Sequence, residues 1–132
     1  MEYTPPGRHK SFAAFRDHWR AVAPDLGCDE HVEGAAGPLG RTLEVDGRTL
    51  GNRFCIHPME GWDGTRDGRP TDHTLRRWRR FGESGAALVW GGEAFAVRAD
   101  GRANPHQLFL NPSVDTEGGL AALLRATRRA HA

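Results

Sequence analysis

The residues able to do chemistry are few and scattered. His57 and Glu60 stand three positions apart in His57-Pro58-Met59-Glu60, directly after the apolar run Phe54-Cys55-Ile56. An imidazole and a carboxylate this close could move a proton or bind a metal. A zinc site needs a third ligand at suitable spacing, and only the distant His73 and His106 are on offer. The segment Asp63-Gly64-Thr65-Arg66-Asp67-Gly68 carries oxygen-bearing side chains at alternate positions, as a calcium loop does. The bidentate glutamate that such a loop needs at its twelfth position is here Thr74, so the segment reads as a turn. Ser11, Ser84 and Ser113 have no base nearby in sequence and no nucleophile-elbow glycines around them. Cys55 sits inside an apolar run and reads as core rather than nucleophile. These residues assign no catalytic group and no metal.

Arg76-Arg77-Trp78-Arg79-Arg80 concentrates positive charge. Trp78 falls on the apolar side of its helix, which makes the four arginines the solvated side of an exterior helix. With Lys+Arg 18 against Asp+Glu 17, the net charge is +1, too small to recruit nucleic acid or a membrane surface. Gly34, Gly37 and Gly40 follow no strand and have the wrong order for a dinucleotide-binding turn.

The elements that position these residues follow from apolar spacing. At 132 residues the chain is one domain in size. Residues 1–10 are a polar, proline-containing tail, not a secretory signal. No apolar run spans a membrane, and Cys28 and Cys55 are too few and too far apart for a disulfide framework. A cytoplasmic protein with reduced thiols is expected. Ser11 caps a helix over 12–22 whose apolar face is Phe12, Phe15, Trp19 and Val22, and Pro24 ends it. Residues 27–40 form a linker, so the expected division is 1–40 and 41–132. Asp46-Gly47 between two short β-prone arms predicts a hairpin, because both central residues of a type I′ turn need positive φ. Residues 53–57 read as a buried strand. Thr71 or Asp72 caps a helix over 72–83 with Leu75, Trp78 and Phe81 inward, ended by Gly82 or Gly85. Residues 86–90 read as a strand buried on both faces of a parallel sheet, ended by a close backbone approach at Gly91-Gly92. Asp115 or Thr116 caps a third helix with the stripe Leu120, Leu123, Leu124, Thr127. Strand, helix, strand, helix is an α/β order, and ligands bind at the carboxyl ends of such strands. Pro58-Met59-Glu60 and Gly92-Glu93-Ala94 occupy those ends.

Several segments, in order, resemble the Old Yellow Enzyme (NADH:flavin oxidoreductase) family. Asn52-Arg53-Phe54-Cys55-Ile56-His57-Pro58-Met59-Glu60 is similar to its first-strand motif, and Gly85 to Val97 (GAALVWGGEAFAV) to its second-strand segment. Asp67-Gly68-Arg69-Pro70-Thr71, Gly101-Arg102 and Asn104-Pro105-His106-Gln107-Leu108 follow the same order, and the hairpin over 42–50 resembles the plug at the barrel bottom. The resemblance implies a partial (β/α)8 TIM barrel: the first two β-α units, preceded by an N-terminal helix and a β-hairpin. It implies FMN held at Pro58, Met59, Glu60, Gly92 and Ala94, with NAD(P)H as reductant and an activated alkene as a typical hydride acceptor. Many members carry Thr or Cys at the position of Glu60. An ionised carboxylate there opposes the charge of reduced flavin, so Glu60 is expected protonated or turned away. A barrel takes roughly 250 residues, so the expectation is the N-terminal portion of an FMN-dependent oxidoreductase, inactive alone. The alternative is an interaction module or split subunit that needs a complementing chain or self-associates through exposed strand edges.

Overall fold

The computed structural model describes residues 3–27 and 29–131. Cys28, one of the two thiols above, lies outside the described residues. The chain divides into two compact units, Met1–Gly37 and Pro38–Ala132.

In the first unit the Ser11 side chain accepts a hydrogen bond from the Ala14 N–H (3.2 Å) and starts α1 (Phe12–Val22). Phe15 and Trp19 lie a turn apart with ring centroids 6.0 Å apart, and the Trp19 indole donates to the Leu26 carbonyl. His9 packs against Phe15 and His18. Phe12 and Val22, expected inward, are exposed, and no residue of α1 is buried.

The second unit opens with the expected hairpin. β1 (Leu43–Val45) and β2 (Arg48–Leu50) pair antiparallel in the register Leu43↔Leu50, Glu44↔Thr49, Val45↔Arg48. Asp46 (φ 49°) and Gly47 (φ 74°) make the turn with both central residues in the left-handed region. β3 (Cys55–Ile56) and β4 (Leu88–Val89) form a separate parallel pair, joined through α2 (Asp72–Glu83). Asn52 ties the two strand entries together: its amide donates to the Gly85 carbonyl and its oxygen accepts from the Ala87 N–H.

The barrel expectation is overturned. The described residues form three helices and two small sheets of two strands each, with no closure and no pairing between the sheets. Barrel strands must be long enough to tilt and pair on both edges. Here each parallel strand is two residues long and pairs on one edge. The chain beyond β4 turns back on itself instead, with Ala96 bridging to Phe109. The two strands are also half-buried rather than buried, and Phe54 and Trp90 at their ends are exposed.

α2 begins in a capping box: the Thr71 side chain accepts from the Thr74 N–H while Thr74 reaches back to the Thr71 N–H. α3 (Thr116–His131) follows Asp115, whose carboxylate accepts from the Gly118 N–H at 2.8 Å. The buried apolar cluster is small: Trp78 from α2, Leu123 from α3 and Leu108 from the intervening loop, flanked by Leu75, Phe81 and Phe95. Leu124, expected in the α3 stripe, is exposed. No helix of the described residues is long and apolar enough to cross a membrane.

Gly82 does not end α2 but lets α3 approach. A Cβ there would lie 2.2 Å from the Thr127 carbonyl oxygen and 2.9 Å from the Ala130 Cβ. The helix ends at Glu83, with Gly85 (φ 77°) just beyond its cap. Replacing Gly82 with alanine is expected to force the helices apart and cost about 1–3 kcal/mol, the usual penalty for overpacking. A shift in the urea midpoint at unchanged slope measures this.

Candidate functional site

β3 and β4 run side by side, so the segments that leave them stay adjacent. Met59 forms a parallel bridge with Glu93, and the Ala94 N–H donates to the Met59 carbonyl at 3.2 Å. Pro58 lies against Gly91, where an added Cβ would be 3.3 Å from the proline ring. Of the five candidate cofactor residues, Met59 and Ala94 are therefore neighbours, and Pro58 is on the same strand end. Met59 is 69% exposed. Gly92 is buried, and a Cβ on it would strike the Trp78 ring at 2.7 Å. Its missing side chain makes room for the indole of α2, with φ at 65°. Glu60 is exposed and borders, together with Met59 and Gly92, a groove of about 630 Å³ whose wall includes Cys55, Trp62 and Phe81.

Beneath this shelf lies a charged cluster. The Glu93 side chain is fully buried, 0% exposed. One carboxylate oxygen accepts from the Gly61 N–H (3.1 Å) and the other from Arg77 Nη2 (2.8 Å) and the Trp78 indole N–H (3.1 Å). Arg77 also grips Asp63 through both Nε (2.9 Å) and Nη2 (2.7 Å). The Thr74 hydroxyl donates to the Asp63 backbone carbonyl at 2.9 Å, and the Asn104 amide donates to the Gly61 carbonyl at 2.9 Å. One guanidinium thus bridges two carboxylates and holds together the loop after β3, helix α2 and the segment after β4. Such pairing is what lets a charge be buried at all. The Arg77 hydrogen bond holds the Asp63 carboxyl below its usual range, against the opposing effect of burial. The same pair of carboxylates pushes the Arg77 guanidinium further toward its charged form.

The expectation that Arg77 belongs to the solvated side of α2 is corrected here. Arg76, Arg79 and Arg80 are exposed, but Arg77 points inward and its guanidinium also lies 5.7 Å from the Phe81 ring centre. Arg77 stands one turn before Phe81, and its contacts with Asp63 and Glu93 turn it to that side. Asp63, expected only as a turn residue, is the second partner of that arginine.

The chemistry available is limited. His106 is engaged with the Gly64 carbonyl through Nδ1, which makes it a packing residue. Among the described residues no group of three or more His, Cys, Asp or Glu side chains converges to hold a metal. What the site offers is a partly apolar shelf of main chain and small side chains, stiffened from below by the ion cluster. Compared with family models and with curated proteins, the chain matches none of either.

Removing one partner of a buried ion pair strands the other charge, a loss of about 3–5 kcal/mol. Glu93→Ala is expected to cost that much in chemical denaturation. For Asp63 the carboxyl titrates lower in the folded protein than in the unfolded chain, so its contribution is present above the unfolded value and is lost as pH falls. The stability difference between wild type and Asp63→Asn should therefore be full at neutral pH, begin to shrink as pH falls past the unfolded value of 3.8, and vanish only below the lower folded value. A difference that persists unchanged into acid would contradict the ion-pair account.

Proposed function

We propose that this chain supplies part of the flavin site of an FMN-dependent oxidoreductase that takes its electrons from NAD(P)H. The observation that carries the reading is the side-by-side arrangement of Met59 and Ala94 at the ends of two parallel strands. These are the residues that the Old Yellow Enzyme resemblance associates with the flavin ring. A flat heteroaromatic ligand fits such a shelf: Ala94 leaves room for close approach, Met59 offers a polarisable apolar surface, and Pro58 stiffens the strand end. Gly92 fits less directly, because it lies under Trp78, and it acts by shaping the shelf.

FMN, when bound, supplies the hydride chemistry. The chain's residues bind and orient. Met59 and Ala94 would hold the flavin ring, and the Glu93–Arg77–Asp63 cluster would steady their main chain. Glu60 is exposed and borders the same groove as Met59 and Gly92, where water can reach its carboxylate. A shelf of two strand ends covers little of a ligand, and the chain alone is expected to bind weakly and not to oxidise NAD(P)H.

Titration of the full chain with FMN, read by flavin fluorescence, tests this. Saturable binding weakened about tenfold or more by Met59→Asp, an exposed position whose change leaves the fold intact, is expected. The reading fails if FMN shows no saturable binding, or if Met59→Asp binds as wild type does.

A further inference from the structure

Trp62 is an exposed aromatic residue held between two pinned neighbours. On one side Gly61 is fixed through both of its main-chain groups. Its N–H donates to the buried Glu93 carboxylate at 3.1 Å, and its carbonyl accepts from the Asn104 amide at 2.9 Å. A Cβ on Gly61 would lie 2.5 Å from Arg77 Nη2 and 2.6 Å from Glu93 Oε1, so only glycine lets the chain come this close. On the other side Arg77 grips the Asp63 carboxylate through two nitrogens, and the Asp63 carbonyl accepts from the hydroxyls of Thr71 and Thr74. The backbone on both sides of Trp62 is therefore tied to α2, and on one side also to the segment after β4 and to Asn104. The indole itself is 69% exposed and belongs to no aromatic or cation–ring pair among the described residues.

An indole brings a large flat surface and only two side-chain rotations. On a fixed backbone it has little freedom left to lose when a ring settles on it. Trp62 borders the groove of about 630 Å³ that Met59 and Gly92 also line. That volume falls within the range of roughly 300–1,000 Å³ typical of small-molecule sites. The groove continues into the shelf through Met59, whose carbonyl accepts from the Ala94 N–H. We infer that Trp62 is a further ring-binding residue of the flavin site: the isoalloxazine ring that rests on Met59 stacks against the Trp62 indole. The inference rests on the flavin reading for the identity of the ligand. Glu60 stands between the two residues in the sequence, exposed and bordering the same groove. The oxidised ring carries no charge for that carboxylate to oppose, so the oxidised form is the one the pair of side chains accepts.

Oxidised FMN titrated into the full chain and its variants, with flavin fluorescence read at each point, tests it. Trp62→Ala is expected to weaken binding about tenfold or more, and Trp62→Phe, which keeps a flat ring, to stay within about threefold of wild type. An indole stacked on the excited ring quenches its emission by lending it an electron and taking it back, which a phenyl ring does not do. FMN bound to Trp62→Phe is therefore expected to be brighter than FMN bound to wild type. The urea midpoint of Trp62→Ala is expected to match wild type, because an exposed indole braces nothing. The inference is overturned if Trp62→Ala binds FMN as wild type does while Met59→Asp still weakens binding, a result that leaves the flavin reading standing. It is equally overturned if FMN bound to Trp62→Phe stays as quenched as in wild type, or if Trp62→Ala lowers the urea midpoint and so shows the indole to be a brace of the loop. Absence of saturable FMN binding to wild type overturns the inference and the flavin reading together.

Discussion

The buried carboxylate of Glu93 is the constraint on which the rest of this unit depends. It has no contact with water and is held by three donors from two segments: Gly61, Arg77 and Trp78. A charge in that position is costly unless every partner is present, so the loop after β3, the helix α2 and the strand end after β4 must assemble together. The apolar cluster around Trp78, Leu108 and Leu123 is too small to impose that arrangement by burial alone. The ion cluster supplies the specificity that a larger core would otherwise give. It also orients the shelf above it: with Glu93 turned inward, Met59 is its bridge partner and Ala94 is hydrogen-bonded to Met59.

Glycines set how closely the helices approach. Gly82 admits the Thr127 backbone, and Gly92 admits the Trp78 indole. Through Trp78 these two approaches connect: the indole fills the space under Gly92 and donates to Glu93, and the Trp78 main-chain carbonyl accepts from the Thr127 hydroxyl at 3.0 Å. The packing of α2 against α3 and the position of the strand end are therefore one arrangement. The strands themselves contribute little to it, because each is two residues long and open on one side.

Local features were legible in the chain because their causes are local. Ser11, Thr71 and Asp115 read as helix starts because a short oxygen-bearing side chain can reach a free N–H a turn ahead. The hairpin was legible because Asp46-Gly47 tolerates two positive φ values in succession. The parallel strand ends and their neighbouring residues followed from strand–helix–strand order. The role of Arg77 did not, since a cluster of arginines on a helix ordinarily faces water, and only the approach of Asp63 and Glu93, 14 residues before it and 16 after it, turns one of them inward. Leu124 and Phe12 failed in the opposite sense: both sit on apolar faces, and no neighbouring element covers them.

The sequence by itself determined where the three helices begin, where the hairpin turns, and which side of α2 carries its aromatic residues, because these depend on interactions within a turn or two of chain. The tertiary structure alone decided that no barrel arc forms, that Glu93, Arg77 and Asp63 meet, and that both outer strand edges stay open. Those outcomes depend on contacts between residues far apart in sequence, where burial and charge pairing compete and no local pattern records which prevails.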